Sequence, residues 1–166
     1  MPNAAYRHFA SRDELLQAVR SAALAALAQA IEAEMAKKRR SADAAQAARA
    51  ALRAVGTAYL RFALAEPGLF RTAFSVPGVP VEADTDAAKA GHSGLNPFQL
   101  LGAALDQMAA AGALPRARRR GAEYLAWSAV HGLAMLVLDG PLRRMSEPQL
   151  RAIGQRVVQM VERGLS

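Results

Sequence analysis

Apolar residues return at steps of three and four along nearly the whole chain, and that period admits one kind of secondary structure. Leu16, Val19, Ala23, Leu27 and Ile31 keep it in one segment, and Leu52, Val55, Tyr59 and Phe62 keep it in the next. Phe98, Leu101, Leu105 and Met108 form a third stripe, and Leu150, Ile153, Val157, Met160 and Val161 form the last. No stretch alternates with the two-residue period of a half-buried strand. Alanine and leucine dominate, β-branched residues are sparse and aromatics are only 5%, so helix is favoured over sheet.

The breaks between stripes carry helix punctuation. Ser11 with Glu14 is a capping box that starts a helix at residue 12. A second helix spans roughly 42–65 and stops at Glu66-Pro67-Gly68, where Pro67 can open a short helix through Leu69, Phe70 and Phe74. Residues 75–94, with Pro77, Gly78, Pro80, Gly91 and Gly94, read as one long mobile loop. Asn96-Pro97 restarts the helical pattern, and Gly112 and Pro115 close it. Residues 116–138 read as a single helix, the most hydrophobic of the set. Tyr124, Trp127, His131, Met135 and Leu138 line one side of it, and Val130, Leu133 and Val137 another. A helix apolar on more than one side is buried on more than one side. Asp139-Gly140-Pro141 stops it, and Ser146 with Gln149 starts the last helix. The expected architecture is an all-α bundle without a clear linker; 166 residues suffice for one core.

Composition narrows the chemistry. The chain has no cysteine, which rules out disulfides, thiolate metal sites and a cysteine nucleophile, and agrees with a cytoplasmic location. The segment 6–14 is polar and charged, so no signal peptide is expected there. The longest apolar run, 125–138, is interrupted by Ser128 and His131 and reads as a core helix, so no membrane partner is expected. The net charge of +7, from 21 basic and 14 acidic residues, favours encounter with nucleic acid or anionic surfaces. Its clusters, Lys37-Lys38-Arg39-Arg40 and Arg116-Arg118-Arg119-Arg120, also read as solvated helix ends. Catalysis finds no support: there is no phosphate-binding glycine loop, nucleophile elbow or metal spacing among His8, His92 and His131. A loop site of Asp84, Asp86 and His92 is a minor alternative, and no metal or cofactor is expected.

Two motifs carry a resemblance. Tyr6-Arg7-His8-Phe9, then Ser11-Arg12, then Glu14-Leu15-Leu16, resembles the end of a DNA-reading helix entering the next helix in the tetracycline-repressor-like family of transcription regulators. Downstream, Trp127-Ser128-Ala129-Val130-His131-Gly132 is similar to the Trp-x-x-x-His-Gly pattern in the C-terminal domain of one subgroup. The resemblance implies that Tyr6, His8 and Arg12 contact DNA phosphates, which positions a protein without reading sequence. Phe9 packs inward. It also implies two further helices before residue 3, so residues 1–10 are expected to be a remnant of the helix-turn-helix domain. Residues 11–166 would then be the effector-binding and dimerisation domain. Operator DNA is an expected partner only where those helices are present.

The resemblance places an effector pocket among the middle helices. Tyr59, Phe62, Phe70, Phe74 and Phe98 are candidates to line it, as are Leu101, Leu105, Met108, Trp127 and His131. Each can equally be core, and His131 beside Gly132 can be a packed histidine. Such a pocket suits a small lipophilic effector, with Tyr59, Tyr124 or His131 as polar contacts. The last two helices resemble a dimer-forming pair, with Leu125, Val130, Leu133 and Val137 on one and Ile153, Val157, Met160 and Val161 on the other. Two copies would form a four-helix bundle, and the expected state is a homodimer. The resulting expectation is a ligand-responsive repressor; the alternative is a headless modulator that binds ligand or pairs with a full-length relative.

Overall fold

In the computed structural model, residues 9–37, 41–75 and 84–166 are described. They form seven helices: α1 (Arg12–Ala36), α2 (Ala44–Ala65), α3 (Pro67–Phe74), α4 (Pro97–Ala110), α5 (Arg116–Arg119), α6 (Ala122–Leu138) and α7 (Glu147–Leu165). Among the described residues there is no strand, and no helix is long and apolar enough to cross a membrane. Tyr6, His8 and the stretch 76–83 lie outside the described residues.

Local chemistry sets the boundaries. Ser11 Oγ accepts the Glu14 N–H at 3.1 Å, while the Glu14 carboxylate accepts the Ala10 N–H. Asp43 caps α2 through the N–H groups of Ala45 and Gln46. Asn96 and Gln99 close a reciprocal capping box at α4, with both bonds at 2.9 Å. Residues 116–138 are not one helix. Arg120 is extended and Gly121 sits at φ 77°, a left-handed conformation that a Cβ would strain, so the chain turns between α5 and α6. Propensity alone does not reveal this break, because a glycine inside a periodic pattern is often tolerated.

α2 is the axis of the bundle and packs against α1, α3, α4, α6 and α7. Leu52, Val55, Tyr59 and Phe62 are all buried, and small residues at Ala48, Ala51, Ala54 and Ala58 let neighbouring helices approach. On α1 the stripe divides: Ala23, Leu27 and Ile31 are buried, but Leu16 and Val19 are exposed. Periodicity marks a face; it does not say how far along that face a partner extends.

The described part of the 75–94 loop is tied to α1. It contains a 3₁₀ turn (Ala87–Lys89) capped by Asp86, which also accepts the Ser21 hydroxyl at 3.2 Å. Asp84 and Asp86 both pair with Lys89, so these carboxylates hold an ammonium group. The Glu32 carboxylate accepts the N–H groups of His92 and Ser93 and the Ser93 hydroxyl. Desolvation works against the Glu32 charge, but these bonds outweigh it and hold the carboxyl below its ordinary value of 4.5. The resulting stabilisation is therefore present above about pH 4.5 and is lost as pH falls through the lower folded-state value.

Gly91 is needed here because a Cβ would stand 2.6 Å from both Glu32 oxygens. Gly91→Ala is expected to displace the carboxylate and cost about 1–3 kcal/mol in urea unfolding at neutral pH. In a Glu32→Ala background the same change should be nearly neutral. Equal costs in both backgrounds would show that the carboxylate is not the obstacle.

Candidate functional site

A cavity of about 120 Å³ lies beside α2 and is walled by all the longer helices. Tyr59, Phe74, Phe98, Leu101 and Trp127 line it, together with Ile31, Leu52, Val55, Val130, Val158 and Val161. A volume near 150 Å³ admits a benzene-sized molecule, so this space suits a compact ligand. Its lining is mostly apolar, with Arg20, Asp84, Lys89 and Asn96 as polar contributors.

The aromatic wall is locked by hydrogen bonds. Trp127 Nε1 donates to the Tyr59 hydroxyl at 3.0 Å, and that hydroxyl lies 2.7 Å from His131 Nδ1. An indole only donates, so Tyr59 accepts from Trp127 and has its own proton to give to His131. The neutral imidazole that fits carries its proton on Nε2. Burial lowers the His131 pKa and favours that neutral form; burial raises the Tyr59 pKa and keeps the phenol protonated. Phe74 meets Trp127 with ring centroids 6.1 Å apart, and Phe98 meets it edge-on at 6.0 Å. Spacing within α6 puts Trp127 and His131 one turn apart, which is why one hydroxyl from α2 reaches both.

Other expected pocket residues sit elsewhere. Phe70, Leu105 and Met108 are fully enclosed core residues, and Phe62 is buried on α2 away from the cavity. His131 stands behind the wall, packed against Tyr59, Phe70, Phe74 and Trp127, and does not itself line the space. The stripe period that selects these residues cannot separate a cavity wall from the packing behind it. Arg20, Lys89 and Asn96 also line the cavity; Lys89 is only 8% exposed, and no local pattern signals a buried lysine.

The expected dimer residues also divide. Val130 and Val161 face the cavity, and Leu133 and Val137 are buried and line a second, smaller pocket with Leu60, Leu64 and Leu150. Ile153 and Val157 are half-buried. Leu125 and Met160 remain outward at 65% and 61% exposure. On α6, Leu125, Ser128, Gly132 and Leu136 recur at helical spacing along an exposed face, joined by Tyr124 and Met135. Arg12, the first residue of α1, is exposed.

These features define an all-α bundle with a small, mostly apolar cavity at its centre. Residues 52–161 match the family model of the tetracyclin repressor-like C-terminal domain, and the chain belongs to that family. No curated protein matches it. The fold is similar to the solved structure of a protein with unknown function from Rhodococcus sp. RHA1. That likeness has a TM-score of 0.74 at 22% identity, and covers 98% of this chain and 79% of that one.

Proposed function

We propose that this chain is the effector-binding and dimerisation part of a ligand-responsive transcription repressor acting in the cytoplasm. The cavity beside Tyr59 and Trp127 carries the reading: an apolar space with few polar groups is what a small effector needs. Residues 11–166 would form this unit and residues 1–10 the end of a DNA-reading unit. In the protein that carries the whole of that unit, Tyr6, His8 and Arg12 would hold operator phosphates. The exposed α6 face, with Met160 of α7, would meet its counterpart in a second copy. A ligand that binds one dimer geometry better than the other would then change the spacing of the two recognition helices and release the operator.

Trp127 is the only tryptophan, so its emission reports on the cavity without a label. Titration with 1-hexanol should shift that emission and saturate. Val55→Phe, which places a ring in the cavity, should abolish the response while leaving helicity unchanged. A Val55→Phe protein that responds like the parent would remove the cavity as the binding site.

A further inference from the structure

Deepening that reading of the cavity, we propose that its ligand is a small amphipathic carboxylic acid. Its apolar tail would lie against the aromatic wall and its carboxylate against Arg20. Arg20 lines the cavity from α1, and its Nε donates to the Ala73 carbonyl of α3 at 3.0 Å. That bond holds the guanidinium plane in place. It leaves Nη1 and Nη2, which among the described residues have no hydrogen-bond or ion-pair acceptor. The other cation at the cavity is already committed: Lys89 Nζ lies 2.7 and 2.9 Å from the two Asp84 oxygens, with Asp86 at 3.6 Å. Asn96 is committed too, giving Nδ2 to the Asp84 carbonyl and receiving the Gln99 N–H. Among the described residues, Arg20 is therefore the cavity cation that keeps hydrogen-bond donors without an acceptor.

A half-buried arginine whose remaining donors have no acceptor among the described residues, beside an apolar space, matches a planar acceptor with two oxygens. An amine would instead need Asp84, whose charge Lys89 neutralises. A neutral ligand would leave the Nη donors of Arg20 without a charged partner among the described residues. The cavity volume limits the tail to a short chain or a single ring.

The test compares three probes of one length by Trp127 emission: hexanoate, hexanamide and hexylamine. Hexanoate is expected to bind about ten-fold or more tightly than hexanamide, as a hydrogen bond to a charged partner implies. Arg20→Gln should bring the two within about two-fold, and Arg20→Lys should restore part of the preference, because the charge remains but the fork is lost. The ratio is taken within each variant, so a general loss of stability cancels. Equal binding of hexanoate and hexanamide to the parent protein would overturn the inference and leave the cavity reading standing. Tightest binding by hexylamine would overturn it in favour of Asp84. No response to any probe, 1-hexanol included, would instead defeat the cavity reading itself.

Discussion

Phe70→Ala is expected to remove about 3–5 kcal/mol of stability, the range for deleting an enclosed aromatic ring. Phe70 is fully buried although it sits on the eight-residue helix α3. Its ring meets Tyr59 edge-on at 5.3 Å and Phe74 at 5.0 Å, and stacks near His131 at 5.7 Å. A helix this short has little stability of its own and is held by what its apolar face buries. Removing the ring therefore releases α3 from α1 and α2 and opens a void behind the cavity wall. For a chain of this size the loss corresponds to a fall in Tm of roughly 6–20 °C. Phe98→Ala, at a half-buried ring on the cavity edge, should cost less. The check is urea unfolding of the three proteins by helical circular dichroism. A Phe70→Ala cost under about 1 kcal/mol, or one smaller than that of Phe98→Ala, would contradict the enclosure of this ring.

Leu125→Glu is expected to convert the dimer proposed above into a monomer without unfolding it. The side chain is 65% exposed in the single chain, so its replacement should change monomer stability by less than about 0.5 kcal/mol. In an isologous interface each substitution appears twice, and two carboxylates would be desolvated without partners. Together these should weaken association by about 100-fold or more. Gly132 lies on the same exposed face, and a Cβ there would meet nothing within 4 Å, so the α6 backbone is open to close approach. Sedimentation equilibrium of parent and variant over a micromolar range is the measurement. An unchanged association constant would exclude this face, and a parent protein that stays monomeric at micromolar concentration would exclude the dimer.

Most of the fold was legible because helix signals are local. Ser11 with Glu14, Asn96 with Gln99 and Pro97, and Ser146 with Gln149 each lie within one turn, and the structure closes bonds at all three. The break at Gly121 was also written in the chain, as a glycine after a run of arginines. The apolar period that follows it, through 122–138, masks that signal, since a lone glycine beside a periodic pattern is often tolerated. The aromatic wall was legible in part: Tyr59, Phe74, Phe98 and Trp127 recur at helical spacing and do line the cavity. Phe70, Leu105 and Met108 recur in the same way and do not, since period identifies an inward face and says nothing about which inward residues leave a gap.

By itself the sequence determined the helical class, most of the helix ends and the Trp-x-x-x-His-Gly motif inside the span that matches the family, because each depends on residues a few positions apart. Tertiary structure alone decided which side of α6 turns inward, so that Val130 walls the cavity while Leu125 faces solvent. It also decided that Arg20 meets Ala73 across 53 residues of chain, and that Tyr59 meets His131 across 72. Such contacts follow from how several amphipathic helices share one interior. That arrangement is set by the summed packing of all of them and not by the period of any one.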